Sequence, residues 1–267
     1  MRPTLRILHV MARSGGTLVG KCLASMDEAM LLSEIHPRGL GHASPVRQAA
    51  DWFDLVAPEE AARLDGQAQF PAAIALLRER AEARGRKLVL REWSHLDFYG
   101  WPHVRESSWR SSLADMFGND FALRRAALVR HPVEQLFSVG ILVSMEGWRD
   151  LGRFLKGYRH FAEMAAETGF VRYEDFTRDP DAALRRLCRL LDLGFDPGYA
   201  QRWATWDRIT GDGDASRGGG AAQICPLPPW PTPPAMLARL GEREDYRRAL
   251  ELLGYAHPGE EPTTASG

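Results

Sequence analysis

Two kinds of hydrophobic pattern alternate along the chain. Short, nearly unbroken apolar runs occur at Leu5–Met11 (LRILHVM), Met30–Ile35 (MLLSEI), Lys87–Arg91 (KLVLR) and Arg125–Arg130 (RAALVR). Runs of this length without polar alternation suit strands buried on both faces. Phe170–Arg172 is a shorter strand-like piece. Between them, Leu18–Met26, Ala72–Arg84 and Val133–Val143 carry apolar residues at helical spacing. Pro132 stands where a helix starts, since its missing N–H costs nothing in a first turn. Asp179-Pro180 opens a further helix through Leu191, and a last helix is expected over Ala235–Leu253. Pro37 to about Gln69 reads as polar and broken, with weak helical pieces. Residues 211–234 are Gly-rich, then Pro-rich, and read as loop. Strands alternating with helices predict an α/β fold, a mostly parallel central sheet flanked by helices. We expect one domain over 1–255 and a disordered tail over 256–267. Ligands of such sheets bind beyond the carboxyl ends of the strands.

Composition narrows the function classes. The 267 residues carry a net charge of −1, so no global field recruits nucleic acid or an anionic membrane. Cys22, Cys188 and Cys225 are far apart and form no CxxC pair. That argues against a disulfide framework or a structural zinc site, and each is expected to be a buried thiol. No stretch approaches the ~18 apolar residues of a membrane helix. The N-terminal apolar run is shorter than a signal segment. The expectation is a cytoplasmic protein with no metal.

The candidate chemistry starts where the first strand meets the first helix. Arg13-Ser14-Gly15-Gly16-Thr17 is a turn at a helix N-terminus, where backbone N–H groups and the helix dipole favour an anion. The glycines admit close approach, Ser14 and Thr17 offer hydroxyls, and Arg13 offers a fixed charge. The stretch Gly15–Cys22 (GGTLVGKC) also matches the Walker A pattern except at its last position, where Cys22 replaces the magnesium-binding hydroxyl. The strands at 87–91 and 125–130 both end in Arg, so neither supplies the Asp that anchors magnesium in a Walker-type site.

A second segment, ALVRHPVEQLFS, ends a strand with Arg130, has Pro132 two residues on and Ser138 eight residues after the Arg. Together with RSGGT, it resembles the sulfotransferases that use 3'-phosphoadenosine 5'-phosphosulfate (PAPS). The 5'-phosphosulfate loop of that family reads [RK]-S-G-[TS]-T; Gly16 departs from it, so a hydroxyl contact is lost. The resemblance implies a P-loop NTPase-like three-layer sandwich, with Arg13–Thr17 on the 5' end and Arg130 and Ser138 on the 3'-phosphate. Weaker matches are FVRYEDF, which would bring Tyr173 near the nucleotide, and Arg217-Gly218, which resembles the family's late 3'-phosphate loop. PAPS would be the co-substrate, and the acceptor a small molecule.

In sulfuryl transfer, charge builds on the leaving phosphate, as in phosphoryl transfer. Arg13 is suited to stabilise it, since Arg does not readily lose a proton. A base must serve the acceptor hydroxyl. Glu34 ends the second strand, 21 residues after Arg13. Tyrosylprotein sulfotransferases, another branch, have a catalytic Glu at a similar spacing. With the second strand expected beside the first, Glu34 should reach the same edge. His36, Glu92 and His95 compete, the last because a further branch has a catalytic His after a corresponding strand. Trp93, Phe98, Tyr99, Trp101 and Trp109 suit an acceptor pocket or the core equally. Two other readings stay open: a magnesium-dependent kinase or NTPase using Lys21, and a non-catalytic nucleotide-binding protein.

Overall fold

The computed structural model describes residues 2–100, 103–140, 150–211 and 223–259. The chain begins β1 (Thr4–Val10), α1 (Gly16–Ala24), β2 (Ala29–Ile35), α2 (Pro45–Phe53), α3 (Pro58–Leu64), α4 (Phe70–Ala83), β3 (Lys87–Trp93). It continues α5 (His95–Phe98), α6 (Ser112–Phe117), β4 (Ala122–Val129), α7 (Pro132–Gly140), α8 (Leu151–Thr168), β5 (Phe170–Arg172). The remaining helices are α9 (Tyr173–Arg178), α10 (Pro180–Leu191), α11 (Tyr199–Arg202), α12 (Pro234–Gly241) and α13 (Glu244–Leu253). The five strands form one parallel sheet in the order β2-β3-β1-β4-β5.

Side chains alternate across each strand, which divides the apolar runs between two faces. Leu5 and Ile7 of β1 pack with Val46 of α2, Ile74 and Leu77 of α4, and Phe117 of α6. Leu8 and Val10 point the other way, onto Val19 and Leu23 of α1 and Leu184 and Leu187 of α10. Beside the first group, Ala127 and Val129 of β4 meet Leu136 of α7, Phe154 and Phe161 of α8 and Leu250 of α13. The result is a three-layer α/β sandwich with the sheet in the middle.

Four expectations need correction. The stretch from Pro37 to Gln69 holds two true helices. Ser44 caps α2 by accepting from the Arg47 N–H at 3.3 Å, and Val46, Ala49 and Phe53 are buried although polar residues surround them. No element was expected over 151–168, yet α8 is an 18-residue helix capped by Asp150. Its buried residues Phe154, Tyr158, Phe161 and Ala165 follow helical spacing. The last helix is two: α12 stops at Gly241, and Arg243 is extended (φ −85°, ψ 121°) before α13. Finally, β2 is not beside β1, because β3 lies between them. The α1 crossover spans that extra position, with Arg91 of β3 beneath Gly20 of α1.

The connections leaving β1 and β4 run to opposite sides of the sheet, which opens a crevice at their carboxyl ends. No helix among the described residues is long and apolar enough to cross a membrane.

Candidate active site

The turn after β1 is built on two left-handed residues, Arg13 (φ 64°) and Gly15 (φ 89°). The conformation costs a non-glycine residue about 1–2 kcal/mol, so Arg13 must be held. It is held from β4 and α7: Arg130 Nη1 donates to the Arg13 carbonyl at 3.1 Å, and Gln135 Nε2 to the Ala12 carbonyl at 2.7 Å. Gly15 is required twice over, by its φ and because a Cβ there would sit 2.2 Å from the Tyr173 ring. A Cβ on Gly16 would sit 2.2 Å from Val10 Cγ1. Gly15 caps α1 without a side-chain bond, so first-turn N–H groups are left for an anion at the crevice. Ser14 does not present its hydroxyl there. It is fully buried, and its Oγ closes the turn by donating to the Met11 carbonyl at 2.8 Å.

The Walker-type register fails on the same geometry. Gly20, Lys21 and Cys22 lie inside α1, where their N–H groups serve the helix, and Cys22 is fully buried, its thiol pushed up by that burial. Cys188 is also buried; Cys225 is exposed, against expectation, because it lies in the Pro-rich surface segment.

The second segment meets the first directly. Arg13 Nε donates to Ser138 Oγ of α7 at 3.0 Å. The Arg130 guanidinium lies over the Tyr173 ring, 5.1 Å from its centroid, and Nη2 donates to Glu134 at 3.3 Å. Glu174, next to Tyr173, accepts from the His131 N–H at 2.9 Å and the Tyr255 hydroxyl at 2.7 Å, so it orders the loop that carries Arg130. Burial first, and then the charge of Arg130, push the Arg13 guanidinium below its ordinary value. Two cations in a partly dry crevice are an arrangement that a bound anion relieves.

Glu34 reaches this crevice although β3 separates its strand from β1. It is left-handed (φ 56°), at a break in the β2–β3 register between Ser33 and Ile35. Such backbone costs a non-glycine residue ~1–3 kcal/mol and clusters at functional sites. Its Oε1 is 3.9 Å from Arg91 Nη2, and its Oε2 is 3.2 Å from His42 Nε2. Gly211 covers both Glu34 and Thr17: a Cβ there would be 2.4 Å from Thr17 Oγ1 and 3.7 Å from Glu34 Oε1.

Arg91 was read from sequence only as a missing Asp. In the structure its guanidinium donates to Ser33 Oγ and, at 2.8 Å, to the Thr210 carbonyl, and Nη1 comes close to Gly16. Burial pushes it below its ordinary value, and Glu34 partly offsets this. The available signal was a charge ending an otherwise apolar, buried strand. Gln135 and His42 were also missed, and nothing local marks them.

The other three candidate bases are enclosed. His36 is fully buried, 3.1 Å from Asp97, with its Nδ1 accepting from the Arg38 N–H. Burial opposes charge on Asp97, but hydrogen bonds and charge from His36 and bonds from Ser112 outweigh it and hold the carboxyl below the usual range. Glu92 is likewise held low against its own burial, by His9 and Ser111, and also accepts from Ser94. His9 in turn accepts from Arg125 Nε at 3.0 Å. His95 is buried against Tyr99, with ring centroids 5.2 Å apart. The aromatic cluster divides: Phe98 and Tyr99 are core, Trp109 packs with Lys156 and His160, and Trp93 lies between His42 and His103. Arg217, Gly218 and Trp101 lie outside the described residues. Among the described residues, no group of three or more His, Cys, Asp and Glu could hold a metal ion.

No family model and no curated protein matches this chain. Solved structures do. The sulfotransferase domain from the curacin biosynthetic pathway aligns with a TM-score of 0.59 at 16% identity, over 96% of this chain and 99% of that one. The sulfotransferase domain from the Synechococcus PCC 7002 olefin synthase gives 0.61 at 19% identity, over 96% and 97%. The chain therefore has the sulfotransferase fold.

Proposed function

We propose that this chain is a PAPS-dependent sulfotransferase that passes a sulfuryl group to the hydroxyl or amine of a small acceptor. One observation carries the proposal: Arg13, the Arg130–Ser138 segment and Tyr173, drawn from three separate parts of the chain, converge on one helix N-terminus. A nucleotide phosphorylated at both ends of its ribose needs two anion contacts, and the turn and the Arg130–Ser138 segment offer one each. In this reading the first-turn N–H groups of α1 and Arg13 take the 5' end. Arg130 and Ser138 take the 3'-phosphate, and Tyr173 lies against the nucleotide. As the S–O bond to the 5'-phosphate breaks, Arg13 offsets the charge gathering on the leaving oxygen. Positioning and fixed charge supply most of the acceleration. The proton of the acceptor is taken at the Glu34 corner of the crevice, since Glu34 is the one candidate of the four that borders it.

Calorimetry with adenosine 3',5'-bisphosphate tests this. Binding is expected without magnesium, and Arg130→Ala should weaken it by about 2 kcal/mol, roughly 30-fold, as expected for loss of a charged hydrogen bond. Lys21→Ala should leave it unchanged. Equal affinity of wild type and Arg130→Ala would remove the second anion contact. Magnesium-dependent ATP binding that needs Lys21 would replace the reading with a kinase or NTPase.

A further inference from the structure

Resting on that reading, we infer that His42 is the group that takes the acceptor proton, and that Glu34 is its positioning residue. Oε2 of Glu34 is already engaged, and Oε1 is turned inward. Oε1 lies toward Arg91 and beneath Gly211, and Oε2 is 3.2 Å from His42 Nε2. The carboxylate side chain is only 16% exposed, whereas the His42 side chain is 57% exposed. An acceptor arriving from solvent therefore meets the imidazole before the carboxylate.

The chemistry agrees with the geometry. An ionised carboxylate only accepts hydrogen bonds, so the contact fixes the proton of neutral His42 on Nε2 and leaves Nδ1 as the basic nitrogen. A carboxylate that orients an imidazole in this way also stabilises the imidazolium that forms. Of the two groups, the imidazole is by its chemistry the stronger base. The ring is set by Trp93, with centroids 4.7 Å apart. The titratable groups around it are Glu34 and, across Trp93, His103, while Arg91 faces Glu34 from behind. In the step itself, the acceptor O–H gives its proton to Nδ1 and its oxygen forms the new bond to sulfur. The bond from sulfur to the 5'-phosphate oxygen breaks, and its electron pair leaves with the bisphosphate, opposite Arg13. The imidazolium then returns the proton to water.

The test uses PAPS with ethanol, a hydroxyl small enough to need no dedicated acceptor pocket, and follows release of adenosine 3',5'-bisphosphate from pH 4.5 to 9. Calorimetry with the bisphosphate runs in parallel. Wild type should show a rate that rises with pH through one inflection above the carboxylate range and then levels off. His42→Gln should lose roughly 100-fold or more at neutral pH, the usual worth of a general base, and lose the inflection while still binding the bisphosphate. Glu34→Gln should keep an inflection but move it to lower pH. His103→Gln should leave the profile as it was. An unchanged rate and inflection in His42→Gln overturns the assignment, as does a wild-type inflection below about pH 5, where an ordinary carboxylate titrates. Wild type that binds the bisphosphate but never turns over PAPS overturns it too. Failure of bisphosphate binding instead brings down the sulfotransferase reading itself.

Discussion

Gly15 answers to two constraints that can be separated. Its φ of 89° penalises any side chain, and the Tyr173 ring occupies the space that a Cβ would need. The backbone term for a non-glycine residue here is ~1–3 kcal/mol. The steric term adds to it, because Tyr173 is itself held by Arg130. Gly15→Ala should therefore lower the denaturation midpoint and weaken bisphosphate binding. In a Tyr173→Ala background the same substitution should cost clearly less, since only the backbone term remains. A double-mutant cycle by urea denaturation measures the difference. Additive costs would mean that the ring yields freely and that Gly15 serves conformation alone.

Between elements, α8 and α5 approach closely at Gly157. A Cβ there would lie 1.8 Å from the Phe98 carbonyl oxygen, so α8 can rest on α5 only through a glycine. Two effects of Gly157→Ala oppose each other. Helix propensity favours alanine by about 1 kcal/mol. Overpacking against backbone costs typically 1–3 kcal/mol or more, and backbone cannot rotate aside as a side chain can. The clash wins, and net destabilisation of about 1–2 kcal/mol is expected, read as a lower urea midpoint. A gain in stability would show that α8 slides without cost. The same contact shows why α8 mattered to the site: Tyr158, one residue on, donates to the Arg130 carbonyl and so sets the strand end that carries the second anion contact.

At the scale of the whole molecule, the crevice draws on the carboxyl ends of β1 and β4 at the centre of the sheet, and both faces of that sheet are core. Opening the site therefore means disrupting the shared core, and a ligand should stabilise the whole fold. At a hundred times its Kd, adenosine 3',5'-bisphosphate should add about 2.7 kcal/mol. In thermal denaturation this appears as one transition moved upward. A saturating ligand that leaves the midpoint in place would mean that the crevice opens independently of the core.

Sequence alone determined the strands, the helices α1, α4, α7 and α10, the Arg13–Thr17 turn and the Arg130–Ser138 pair. Each of these is written within about a dozen residues, as an apolar run, a helical spacing or a turn whose glycines have no substitute. It also pointed to Glu34, though from a neighbourhood of strands that does not exist. Tertiary structure alone decided the order β2-β3-β1, the capture of Ser14 by its own turn, and the enclosure of His36, Glu92 and His95. It likewise decided the contacts that complete the site, such as Ser33 with Thr210, 177 residues apart. Local periodicity fixes which face of an element is apolar. It does not fix which element comes to lie against that face, because the burial gained by packing is non-directional and many partners satisfy it equally. Only the assembled core selects one, and that selection is what set His42 beside Glu34 and Arg91 beneath the first helix.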